Sequence, residues 1–280
     1  MKSLTSILLI AAVASAAWWG IQNNPNMQTV VEQYIDNGDI VTFEARYTPE
    51  KLMELQSREL LGDGGERTFQ RADMKFHPYV MLDVKYNSSD KRTREGILLW
   101  SLVDGEMITD CTSWEQTHGF EDAINAQANR NDFKILNALA RNKGRLSIDQ
   151  LQKELQLEEE LLHSWIEEAK DKHLIVQKGG ELQLHFQNPK ILVSPQTKIS
   201  QCMVTKPYSH TQKIARKYSV NQVEKIAHAA FGTDFAIRSK KEIFLPVYNI
   251  EVLNPDGSIL TTQWNALNGK KIVPRYLQGD

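Results

Sequence analysis

Cysteine is scarce: the 280 residues contain two, Cys111 and Cys202. A scaffold stapled by several disulfides is excluded. The two positions allow one bridge in an oxidising compartment and equally allow two buried free thiols. Net charge is scarce too, because 33 Lys and Arg stand against 35 Asp and Glu. A surface built throughout to hold a phosphate backbone would be strongly basic, so that class is set aside. Aromatics at 8% and hydrophobics at 41% exclude wholesale disorder.

Catalytic patterns are missing as well. The histidines at 77, 118, 163, 173, 185, 210 and 228 include no two at metal-ligand spacing with a Cys or carboxylate on a shared helix face. His163 and Glu167, four apart, read as a surface contact. Gly62-Asp63-Gly64-Gly65 lacks the Lys-Ser/Thr that completes a phosphate loop, and no Gly-x-Ser-x-Gly elbow occurs. No catalytic residue, cofactor or metal is therefore expected, nor a small-molecule ligand.

What is present begins with an address. Residues 1–25 carry one charge, Lys2, and none follows until Glu32. An apolar core from Ile7 to Trp19 suits a secretory signal, with Ala14-Ser15-Ala16 as a cleavage pattern. Leu4–Ile21 also just suits a membrane span with Trp18 and Trp19 at the interface. Residues 1–22 are thus read as a cleaved signal or a retained anchor, with a buried soluble helix as a third reading. Either of the first two puts the body across the membrane, in the cell envelope.

The two ends of the chain resemble each other. Tyr47-Thr48, Leu52, Phe76-His77-Pro78, Leu82-Asp83-Val84, Trp100, Gly105 and Ile108 recur as Tyr218-Ser219, Val223, Phe244-Leu245-Pro246, Ile250-Glu251-Val252, Trp264, Gly269 and Ile272. The offset falls from 171 at the Tyr to 168 at the Pro and 164 at the Trp, and the extra residues sit in loops. Each copy reads as an N-capped helix, a loop, and a small antiparallel meander with one buried and one wet face. Asp83 and Glu251 fall on the wet face, as exposed strand residues rather than a catalytic pair. Trp100 and Trp264 read as core. The first copy, with an N-terminal helix, covers 23–130 and the second 196–280.

Between them, residues 131–190 read as three short helices and a hairpin. Phe133, Ile135, Leu136 and Leu139 mark the first, Ser147 with Gln150 caps the second, and Leu161, Leu162, Trp165, Ile166 and Ala169 mark the third. Leu174-Ile175-Val176 and Leu182–Phe186 flank a Gly179-Gly180 tip. This order resembles the winged helix-turn-helix family, which implies a DNA-reading third helix. Trp264–Lys270 is similar to the closing turn of PepSY-type domains, with Asn where that turn has Asp. The expected fold class is α+β: two helix-plus-meander repeats flanking a winged helix, preceded by an apolar helix.

Charge divides by module. Residues 22–130 hold 11 basic and 19 acidic residues, 11 − 19 = −8; residues 131–190 hold 9 − 10 = −1; residues 201–280 hold 11 − 6 = +5. Opposite charge on the two copies suggests that they pair about a pseudo-twofold. The third helix opens on Glu158, Glu159 and Glu160, carboxylates that a phosphate lattice repels. Nucleic acid is accordingly not expected as partner. The expected surface for a protein partner comprises Glu158, Glu159, Glu167 and Glu168, the wing residue Lys178, and Lys240 and Lys241 of the last copy. The reading is a non-enzymatic envelope scaffold or adaptor, with a membrane-tethered winged-helix regulator as the alternative.

Overall fold

The computed structural model describes residues 39–273, except 63, 89, 91 and 208–211. The apolar segment 1–22 and the N-terminal helix expected before residue 39 lie outside the described residues. Among the described residues, no helix is long and apolar enough to cross a membrane.

The fold is mixed, with several helices and two multi-stranded sheets. The chain begins with β1 (Ile40–Phe43), then α1 (Pro49–Leu55) and α2 (Ser57–Leu61). Thr48 Oγ1 accepts from Lys51 N and Pro49 opens the helix, as the sequence predicts. The single helical run expected here is broken at Gln56. Next come β2 (Thr68–Asn87), β3 (Thr93–Ser101), β4 (Met107–Asp110), β5 (Glu115–Gln116) and an unexpected helix α3 (Phe120–Asn125). The central module holds α4 (Arg130–Arg141), β6 (Arg145–Ser147), α5 (Ile148–Leu155), α6 (Glu159–Asp171), β7 (Ile175–Lys178) and β8 (Glu181–Leu184). The last part holds β9 (Met203–Lys206), β10 (Gln212–Lys213), α7 (Val220–Phe231), β11 (Ala236–Leu253), β12 (Ile259–Asn265) and β13 (Lys271–Ile272).

The strands β2 and β11 are the spine. The sequence predicts a short strand after a loop in each place, yet β2 is 20 residues long and β11 is 18. They pair antiparallel along their lengths, with Phe76 opposite Pro246, His77 opposite Leu245 and Pro78 opposite Phe244. The prolines do not break the strands because of where their nitrogens point. The N and C=O of a residue share one edge of an extended strand. The Pro78 carbonyl accepts from Leu102 N at 3.0 Å, which marks the edge where β10, paired at Lys75 and Phe76, gives way to β3. Pro246 does the same with Ala266 N at 3.1 Å. The missing donors therefore fall at gaps between neighbours.

Helices cross this spine. Val223, Ile226 and Ala227 of α7 pack on Val80, Leu82, Val84, Leu98 and Trp100 of β2 and β3. Leu52 and Leu60 pack on Ile250, Val252, Trp264 and Ala266 of β11 and β12. Each helix thus covers strands from the other end of the chain. Backbone bonds follow the same exchange: Arg46 and Tyr47 donate to Ala266 O at 2.9 and 3.0 Å, while Lys217 and Tyr218 donate to Leu102 O at 2.8 and 3.0 Å. On the other side of the sheet the sequence predicts a wet face. Its middle is buried instead, because Phe43, Ile108 and Cys111 join Tyr79, Leu99, Ile243, Leu245 and Val247 in a second core.

The module is fused to this body. Phe133, Leu136, Leu139, Leu162 and Ile166 belong to the same core as Trp100, Phe120 and α7. The chain leaving the module wedges between β3 and β4, where Thr197 N donates to Ile97 O at 2.7 Å and Lys198 N to Thr109 O at 3.0 Å.

Candidate functional site

The outer face of the module presents the charges singled out in the sequence. Asn129 caps α4, and Asp132 returns the bond to Asn129 N at 2.7 Å; Ser147 and Gln150 form the predicted box on α5. α4 and α5 hold α6 through Leu162, Trp165, Ile166 and Ala169, which leaves its opposite face to solvent. The three strands are ordered β6-β8-β7, so the hairpin β7–β8 is anchored by β6, which precedes α5.

The predicted surface residues do not form one patch. Glu158 and Glu159 stand with Glu160 at the start of α6, exposed and followed by Leu161, which is 46% exposed. Val176 on β7 is 41% exposed. Glu167 and Glu168 are engaged elsewhere. Lys170 Nζ binds Glu167 at 2.8 Å, and Lys172 Nζ bridges Glu168 and the buried Asp132 at 2.7 Å each. The Lys172 bond and charge hold Glu168 below the usual carboxylate range. Burial works against the Lys172 charge, but its bonds to Asp132 and Glu168 outweigh that and raise it. Glu168 also accepts from Asn129 at 2.8 Å. It ties α6 to α4, and sequence spacing alone gives no sign of this. Lys178 sits on the hairpin opposite Glu181. Lys240 and Lys241 lie on β11, where Lys240 binds Glu224 of α7 at 2.7 Å.

Other polar constellations are scattered. Asp83 accepts from Ser239 and Glu251 takes two bonds from Arg71 at 2.9 Å, at opposite ends of the β2–β11 ladder. They do not face each other, and Trp100 and Trp264 are core, at 0% and 1% exposure. Among the described residues no group of three or more His, Cys, Asp or Glu is arranged to hold a metal. Cys111 is buried and Cys202 exposed, and both are free thiols. Burial and the Asp110 charge push the Cys111 thiol up to about 12. An open cleft of about 740 Å³ runs past Asp83, Glu95, Lys198, Ser200 and Arg238, both signs intermixed.

Comparison of the chain with family models, curated proteins and solved structures found no match.

The start of α6 sets three exposed carboxylates beside an exposed leucine. Glu158, Glu159 and Glu160 make no ion pair among the described residues, and Leu161 beside them, 46% exposed, offers apolar contact. Carboxylates around an exposed leucine suit a basic, partly apolar protein surface and oppose a phosphate backbone.

Proposed function

We propose that this chain is a non-enzymatic adaptor of the cell envelope, in which a duplicated body presents a winged-helix domain to a basic protein partner. The α4–β6–α5–α6–β7–β8 order with β6 against β8 supports the winged-helix assignment. The register centred on His77 and Leu245 supports the duplication: Phe76 and Phe244 are equivalent, as are Pro78 and Pro246, and each pairs with the other's partner. Reciprocal exchange of helices between the halves supports it further.

The observation that carries the function is the exposed triplet Glu158-Glu159-Glu160 beside exposed Leu161. In a DNA-reading winged helix this is the end that enters the groove. Here it carries three carboxylates, so the same geometry selects a cationic protein surface. The membrane or exported address rests on residues 1–22.

A photo-crosslinking residue at Leu161, in the full chain in its native host, tests the reading. The expected result is a discrete protein adduct, absent when the crosslinker is at exposed Glu66. Replacing Glu158, Glu159 and Glu160 together by Lys reduces it by about tenfold or more. No adduct, or one indifferent to the charge reversal, overturns the proposal. An adduct to DNA supports the tethered regulator instead.

A further inference from the structure

Where the chain leaves the module, the sheet forks. Thr197 closes the fork: its N donates to Ile97 O at 2.7 Å, and its Oγ1 accepts from Leu99 N at 2.9 Å and donates to Ile108 O. From there the chain runs parallel to β4. Lys198 N donates to Thr109 O at 3.0 Å, and Lys198 O accepts from Cys111 N at 2.9 Å. Because β4 is antiparallel to β3, residues 198–200 are antiparallel to β3 as well, and Ile199 is due opposite Glu95. That rung is missing. Past Ile97, β3 has no strand on the edge away from β2 among the described residues.

Strand alternation says which groups the fork leaves bare. Ile97 O and Leu99 N point away from β2, so the N–H and C=O of Thr93 and Glu95 and the N–H of Ile97 point the same way. Lys198 turns its backbone to β4, so the N–H and C=O of Ile199 face the fork. None of these backbone groups has a hydrogen-bond partner among the described residues, although Ile97 and Ile199 are half-buried. The cleft of about 740 Å³ lies between them, with Glu95 and Ile97 on one rim and Lys198, Ile199 and Ser200 on the other. Its size is that of a ligand site, ~300–1,000 Å³.

The floor of the cleft is matched in charge. The register of β11 on β2 slips between Ile237 and Ser239, so Arg238 is a bulged residue, and its side chain crosses β2 to bind Glu95 of β3 at 2.6 Å. Ser239 donates to Asp83. Asp83 and Glu95 thus stand against Arg238 and Lys198, with no excess of either sign to hold an ion. What lacks partners is main chain. Its outward groups recur at every second residue, ~7 Å apart, which is the repeat of an extended polypeptide. A second copy fits poorly, because the same edge of its own β3 is walled by its residues 198–200.

We propose that the fork between β3 and residues 198–200 is a peptide-binding site, which takes an extended polar segment of another protein as an added strand on Thr93–Ile97. Main-chain bonds to both rims supply the affinity, and alternate side chains of the guest lie over Asp83, Ser239 and Arg238. Proline is excluded from the guest positions that donate. The site is separate from the start of α6 and does not depend on the adaptor reading.

Hydrogen exchange on the full chain in lipid nanodiscs, with peptides selected on it from a random dodecapeptide library, tests this. A saturating peptide is expected to slow exchange of the Glu95 and Ile97 amides by about tenfold or more. N-methylation of the peptide at one alternate set of residues abolishes binding, whereas methylation of the other set changes it by about threefold or less. In the chain, Glu95→Pro removes an N–H that points away from β2 and weakens binding by about tenfold or more, with β2 and β11 amides still protected as the sign of an intact sheet. Glu95→Gln keeps the N–H, loses the Arg238 ion pair and weakens binding by about threefold or less. A library that yields no peptide protecting Glu95 and Ile97 overturns the proposal. So does methylation without alternation, or Glu95→Gln acting as strongly as Glu95→Pro, which assigns the cleft to charge recognition. Protection of these amides that rises with protein concentration and needs no peptide also overturns it, and assigns the edge to a second copy. The Leu161 crosslink is indifferent to these substitutions, so the two proposals fail separately.

Discussion

His77 lies at the centre of the β2–β11 ladder. It faces Leu245 across the ladder, is 8% exposed, and its Nε2 has no hydrogen-bond partner among the described residues. Burial, and secondarily the Lys75 charge, push it down to about 4 from an ordinary 6.5. The folded state therefore binds fewer protons than the unfolded state between these values. His77 costs stability as pH falls from 6.5 toward 4 and costs none by titration above 6.5. Asp104 acts in the opposite sense: burial pushes it up to about 6 despite bonds from Ser101 and Glu106 N, so its folded form is favoured as pH falls through that window. His77→Leu is expected to stabilise the protein below pH 6, by on the order of 1–3 kcal/mol near pH 4. The gain over the parent should shrink to the difference in packing alone above pH 7. Urea midpoints from pH 4 to 8 measure this, and a gain independent of pH counts against it. Glu106 is a different kind of buried charge. Fully buried, it accepts from Thr117 Oγ1 at 2.6 Å and from Gly119 N and Glu121 N at 3.0 and 3.1 Å, anchoring the start of α3. Nothing near it in sequence announces that role, because its partners lie in a helix too short to show periodicity.

Among the helices and strands, caps and stops are the most legible features. Thr48, Ser147 and Ser219 cap as their neighbours predict, and Gly257 turns the β11–β12 hairpin with φ 84. The long spine strands are not legible, because Pro78 and Pro246 read as interruptions. Only the neighbouring strands show that the missing donors face gaps. Gly105 and Gly269, read as turn punctuation, have a second duty. Both have positive φ, 73 and 68, and a Cβ on either would meet a tyrosine ring of the opposite half at 3.0 Å, Tyr218 or Tyr47 respectively. Alanine at either glycine should cost about 1–3 kcal/mol from strain and crowding together. The paired Tyr→Leu variant, Tyr218→Leu or Tyr47→Leu, should recover the crowding part, and a double-mutant cycle on chemical denaturation reads this. Zero coupling would mean that backbone strain alone matters.

Across the molecule as a whole, the two ends meet along the β2–β11 ladder, and charge is not the main adhesive. Arg71–Glu251, Arg238–Glu95, Lys217–Glu121 and Lys271–Glu59 cross between the ends, all with solvent access. Such pairs contribute about 0–1 kcal/mol each. The ladder and the exchanged helices bury far more. A protein nicked by a protease site inserted at Gly179-Gly180 is expected to remain one particle in native buffer, even at high salt, and to separate only in denaturant. Gel filtration across a salt series checks this, and separation at high salt would mean that charge, not burial, holds the halves together. The helix starts, the central helices and hairpin and the acidity of α6 can all be read from the order of amino acids, because they depend on neighbours within a few residues. The crossing of the helices to strands of the opposite end, and the ties of Glu168 to Asn129 and of Lys172 to Asp132, emerge only when the chain is folded. Those outcomes rest on contacts between residues more than a hundred positions apart, or on which face of an element meets a neighbour, and local periodicity carries no information about either.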